Sequence, residues 1–124
     1  MAREIPDIIG MATTGRGAPK MDKGTPDPSR LISGKYETAT WNHFSSADGK
    51  LFSGIWESSK GKVKVSYEEW EFCHIISGEV ILRKEGSRKA WTFKKNDAFI
   101  IPAGFKGTWE TVKKLRKHYV ILMP

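Results

Sequence analysis

From Tyr36 to the last residue, no stretch of this chain sustains an apolar period of 3.6. Short runs of aromatic, Thr and aliphatic residues recur instead, each cut off within a few positions by turn residues. The runs are TATWNHF, LFSGIWE, KVKVSY, EFCHII, EVILRK, KAWTF, AFII, GTWETV and HYVIL. Between them lie SADGK, ESSKGK, SGE, KEGSRK, KKND and PAGFKG, rich in the Gly, Asn, Asp and Ser that tight turns require. Strands this short and this closely spaced predict an all-β fold, a barrel or a sandwich. At 124 residues the chain holds one such core and no second. Five Trp, six Phe and three Tyr provide flat side chains suited to a sheet interior or a pocket wall.

Ahead of the strands, GMATTGRGAPKMDKGTPDP (residues 10–28) is Gly- and Pro-rich and has no apolar period, the composition of an extended arm. The expected division is therefore an arm over residues 1–34 and a barrel domain over 35–124. Such an arm packs either on its own sheet or on a partner subunit, and composition does not choose between them.

The net charge of +7 is spread over turns and strand edges, at Lys60, Lys62, Lys64, Arg83, Lys84, Arg88, Lys89, Lys94, Lys95, Lys113, Lys114, Arg116 and Lys117. Cations on strand edges discourage edge-to-edge aggregation. None of the nucleic-acid-binding motifs is present, so no nucleic-acid partner is expected. A single cysteine, Cys73, excludes an internal disulfide and a Cys-rich zinc site. The opening MAREIPDIIGM lacks the long apolar core of a secretory signal, and no run is long enough to cross a bilayer; a cytoplasmic protein without membrane attachment is the expectation.

One strand reveals its facing. In KGKVKVSYEEWEFCHI the lysines fall at 60, 62 and 64, while Val63, Val65 and Tyr67 alternate with them, the period of a half-buried strand. An unbroken pleat then turns Glu69, Glu71, Cys73 and Ile75 inward. A bulge between Ser66 and Trp70 would reset that phase, and the Glu68-Glu69 doublet is a natural place for one. A carboxylate facing the interior needs company, because a buried charge without a partner is costly. Candidates are the Tyr67 hydroxyl, the indoles of Trp56 and Trp109, His118 and Arg116. Cys73 shares the face of Glu71 and reads either as a ligand or as a small buried hydrophobe. His74 points to the opposite face, with Trp70, Phe72 and Ile76. The facing of His118 is left open by the pattern, and His43 carries no motif.

Four segments, SGIWE, YEEWEFCHIISGEV, NDAFIIPAGFKGTWE and RKHYVIL, together resemble the cupin superfamily. Within it they are similar to the small single-domain family related to (S)-ureidoglycine aminohydrolase and to the ethanolamine-utilisation Q protein. The resemblance spans roughly Leu51 to Leu122. It implies a small RmlC-like jelly-roll β-barrel, a homodimer, and an inward Glu71. The first cupin motif places two histidines ahead of a Glu and a Gly; Glu71 and Gly78 match, but Lys64, Val65, Ser66 and Tyr67 stand where the histidines belong. In the second motif Asn96 takes the place of the leading Gly, Pro102-Ala103-Gly104 fits, and Gly107 replaces the His. Glu71 is thus the only match to a family metal-ligand position. The resulting expectation is a protein that binds a small polar metabolite inside the barrel through Tyr67, Glu71, Cys73, Trp109 and His118, without a cofactor. The alternative is a metal-dependent enzyme, like the aminohydrolase, in which a divalent ion polarises a ureide or related amine or amide.

Overall fold

The computed structural model describes residues 4–124; residues 1–3, the start of the expected arm and of MAREIPDIIGM, lie outside it. Nine antiparallel strands follow one another: β1 (Asp22–Gly24), β2 (Leu31–Ser33), β3 (Thr38–Ser45), β4 (Leu51–Ser58), β5 (Gly61–Ser66), β6 (Trp70–Lys84), β7 (Ala90–Lys94), β8 (Ala98–Ile101) and β9 (Lys106–Leu122). The described residues contain no helix long and apolar enough to cross a membrane.

Two long strands organise the rest. β9 pairs with β6 from Gly107↔Lys84 to Leu122↔Trp70, and divides its other edge between β5, along residues 106–111, and β4, along residues 115–122. β6 divides its far edge in the same way, giving Glu71 to His74 to β8 and Glu79 to Arg83 to β7. Two half-sheets result, β1-β3-β4-β9-β6-β8 and β2-β5-β9-β6-β7, joined through the shared long strands. This is the curled antiparallel sheet of a small jelly-roll barrel. Tyr36, Val63, Cys73, Ile75, Val80, Leu82, Ile101, Trp109 and Leu115 form its core.

EFCHII and EVILRK, read in the sequence as two strands around an SGE turn, are one strand, as are GTWETV and HYVIL. The physical reason sits at Gly78, whose φ is 94°. The register with β9 slips between Ile75 and Val80 there, so β6 bends through a bulge without ending its ladder. The inward set changes phase at that point, from Glu71, Cys73 and Ile75 to Val80 and Leu82. The chain does turn between Ser66 and Trp70, but the phase survives, and Glu71 faces inward as the alternation predicts.

Within the arm, β1 adds to β3 and β2 to β5. Upstream, His43 Nε2 donates to the Ala12 carbonyl at 2.7 Å, which fastens residues around Ala12 over β3.

Candidate functional site

A cavity of about 500 Å³ opens into the barrel, walled by Tyr36, Trp56, Tyr67, Trp109 and Tyr119. Glu71 and Lys117 also line it, and both are almost completely buried, each 4% exposed. β6 and β9 bring them together. Ile75 pairs with Lys117 and Cys73 with Tyr119, so the inward residues of the two strands interleave on one wall.

Lys117 Nζ lies 2.5 Å from Glu71 Oε2 and 3.4 Å from Cys73 Sγ. The rings of Trp109 and Trp56 face the same ammonium, at 4.6 and 4.8 Å to their centroids. The two indoles stand edge to face, 5.5 Å apart and at 86°, forming a corner into which the cation fits. Burial works against the charged amine. The Cys73 sulfur, the Glu71 carboxylate and the Tyr67 oxygen outweigh it, so Lys117 holds its proton above the ordinary lysine range.

The Cys73 thiol donates to Glu71 Oε2 at 3.2 Å. Burial pushes its pKa up to about 12, so the group is held as a thiol at neutral pH. Burial also raises Tyr36 and Tyr119 to about 12 and Tyr67 further still, which leaves three phenolic donors around the cavity. Tyr119 Oη donates to Asn42 Oδ1 at 2.7 Å. The Trp109 indole N–H is occupied by Thr111 Oγ1 at 3.0 Å, and Thr111 in turn contacts Ser58 Oγ at 2.6 Å. Trp109 therefore offers the cavity its ring face and not its donor.

Of the residues expected at the site, Tyr67, Glu71 and Trp109 line the cavity, and Cys73 sits behind Glu71 with no exposure. His118 is not brought to them. It lies on the outer side of β9 beside His74, with the two Nδ1 atoms 3.3 Å apart. The ring planes are 11° from parallel and the centroids 5.6 Å apart, which places the nitrogens edge to edge along one N–H···N line. Burial, with His74 and His43 nearby, holds the His118 pKa below its ordinary value. Arg116, another expected companion of Glu71, instead bridges Glu57 at 3.2 Å.

Lys117 is the cavity residue that the sequence reading missed, having been grouped with the strand-edge cations. Its signal was an alternation like the one in KVKVSY. Leu115, Lys117, Tyr119 and Ile121 share a period of two, and the apolar members mark the inward face.

The metal set implied by the cupin resemblance does not fit these residues. A lysine ammonium already rests on the one matching carboxylate, and the described residues hold no cluster of three His, Cys, Asp or Glu donors. At the position of the missing histidine, a Cβ on Gly107 would run into the Arg83 carbonyl, so no side chain can be seated there.

The family model of the EutQ-like cupin domain matches residues 45–119. No curated protein matches the chain. Among solved structures, a Pseudomonas syringae pv. tomato protein of unknown function from the DUF861 family superposes with a TM-score of 0.74 at 24% identity, over 82% of this chain. The chain spans only 44% of that protein's length. The Clostridium difficile EutQ protein gives 0.62 at 16% identity over 81% of each chain. A putative ethanolamine utilization protein Q from Salmonella typhimurium gives 0.60 at 20% identity over 68% of each. At these identities the likeness is one of fold.

Proposed function

The chain belongs to the EutQ-like cupin domain family, and on that premise we propose that it binds a small polar metabolite in the barrel, with the Lys117–Glu71 pair on the cavity wall in place of a metal ion. The observation that carries this reading is a nearly dry ammonium–carboxylate pair bordering an aromatic-walled space of about 500 Å³. An ion pair serving stability alone gains nothing from a cavity beside it, since apolar side chains of similar volume hold a core at least as well. Next to a cavity, the same pair presents an N–H donor and a carboxylate acceptor at fixed positions in a water-poor site. The ligand that suits it has a flat body for the aromatic wall that Tyr36, Tyr67 and Tyr119 add to the cavity and one edge bearing both an acceptor and a donor, as in an amide, a ureide or an amino acid.

Thermal melting of protein purified without a metal-affinity tag tests the reading against small acids, amines, amides and ureides, each with and without manganese, zinc or nickel. A ligand of the right class raises the melting temperature without added metal, by an amount that grows with concentration as mass action requires. Glu71→Gln abolishes the shift. A stoichiometric metal retained through Glu71, or a panel in which no organic compound shifts the wild-type protein, overturns the proposal.

A further inference from the structure

Two indole faces set beside a carboxylate make a receptor for an organic ammonium. In this barrel the receptor is filled from within. The Lys117 ammonium stands 4.6 and 4.8 Å from the Trp109 and Trp56 ring centroids and 2.5 Å from Glu71 Oε2. An amine entering the cavity therefore finds the aromatic corner and the carboxylate charge already taken. Among the described residues lining the cavity, Glu71 and Lys117 alone are charged, and their charges cancel. Neither an anion nor a cation from outside gains a counter-ion there. An ionised group moved out of water without one suffers a desolvation penalty that a neutral amide escapes.

Two polar groups on the same lining are left to a ligand. Glu71 Oε2 receives both the Lys117 ammonium and the Cys73 thiol, which leaves Oε1 as an acceptor. The Tyr67 hydroxyl, which no side chain among the described residues engages, supplies a donor. Tyr119 Oη, by contrast, is committed to Asn42 Oδ1 at 2.7 Å, and the Trp109 N–H to Thr111 Oγ1 at 3.0 Å. Tyr67 is also held in place. Its backbone N–H donates to the Phe105 carbonyl at 2.9 Å, its carbonyl accepts from the Gly104 N–H at 2.6 Å, and its ring lies tilted against that of Phe105. Burial keeps the phenol protonated, so it remains a donor across the neutral range. A carboxamide or a urea carries the complementary pair, an N–H and a carbonyl on one flat edge.

We infer that the cavity selects uncharged carboxamides and ureas, with the ligand N–H on Glu71 Oε1 and the ligand carbonyl on Tyr67 Oη, and that Lys117 excludes amines by occupying their place. This selectivity rests on the cavity being a ligand site, as proposed above, and narrows the class: amino acids, which carry both charges at neutral pH, fall outside it.

Isothermal titration calorimetry of the full chain, purified without a metal-affinity tag, tests the selectivity with four probes built on one ring. Benzamide and phenylurea are neutral; benzoate and benzylamine are charged at neutral pH. The neutral probes bind saturably, and the charged ones at least about a hundredfold more weakly. Tyr67→Phe, which removes only the hydroxyl, weakens benzamide about tenfold. In Lys117→Ala the aromatic corner is vacated, and ethylammonium chloride raises the melting temperature of that variant while leaving the wild type unmoved. The wild-type titrations decide alone where the variant does not fold. A charged probe within about tenfold of benzamide, a Tyr67→Phe chain that binds benzamide as the wild type does, or a folded Lys117→Ala chain indifferent to ethylammonium overturns the inference and leaves the cavity a ligand site. A wild-type chain that binds none of the four probes also overturns it, and the melting panel described above then shows whether the ligand site itself falls with it.

Discussion

An ammonium and a carboxylate that leave water together each lose several kcal/mol of hydration, and their mutual attraction repays this only where the surroundings complete the hydrogen bonding. For Lys117 and Glu71 the completion comes from the Cys73 sulfur and two indole faces. The pair is therefore stable as a pair and fragile as individuals. Lys117→Ala leaves the Glu71 carboxylate buried and alone, and should lower unfolding free energy by about 3–5 kcal/mol. The double variant Glu71→Leu with Lys117→Met removes both charges and keeps the volume, and should recover most of that loss. A urea-unfolding double-mutant cycle measures the difference; equal losses in the single and the double variant would contradict the account. Glu71 was legible in the sequence because its neighbours alternate cleanly with lysines. Lys117 was not, because it stands in KKLRKH, where a run of cations looks like a solvated surface and the priors for lysine all point outward.

At the scale of the element, strand existence was legible almost everywhere, because β-branched and aromatic runs bounded by turn residues have few other uses. Strand continuity was not. Ser77-Gly78-Glu79 has the composition of a hairpin turn, and equally that of a bulge; the difference lies in whether β9 continues alongside, which is a long-range fact. Gly78 and Gly86 make the distinction measurable, since both have positive φ, at 94° and 68°. A Cβ on Gly86 meets nothing within 4 Å, whereas one on Gly78 meets the Lys114 carbonyl and comes within 2.6 Å of Leu115 Cα. Gly86→Ala should cost only the backbone term, about 1–2 kcal/mol. Gly78→Ala adds a backbone collision between the two longest strands, and its cost should exceed the upper end of the roughly 1–3 kcal/mol of a strained backbone. Chemical denaturation of the two variants side by side gives the comparison; a Gly78→Ala no worse than Gly86→Ala would mean that the bulge is not a fixed joint.

For the whole molecule, an all-β barrel follows from the strand runs, but the wrapping of β6 and β9 through both half-sheets does not, since it depends on partners far apart in sequence. That wrapping concentrates the ionisable groups in one interior and so gives stability a definite pH dependence. Cys73, Tyr36 and Tyr119 are raised from 9.0, 10.0 and 10.0 to about 12, chiefly by burial, and Lys117 is raised as well. In each case the folded chain keeps a proton that the unfolded chain releases earlier. The stability this contributes is present below the unfolded pKa and is lost as pH climbs toward the folded one. His118 works in the other direction: its pKa is lowered from 6.5, so the unfolded chain takes up a proton first and stability falls as pH drops below that value. The melting temperature should therefore be highest between about pH 6.5 and 9 and decline on both sides. Cys73→Ala removes the first alkaline step and should move the onset of that limb from near 9 to near 10, while His118→Phe should flatten the acid limb and leave the alkaline one alone. Melting curves recorded by circular dichroism across this range decide the matter, and a melting temperature that rises between pH 9 and 11 would show that these groups are not held protonated by the fold.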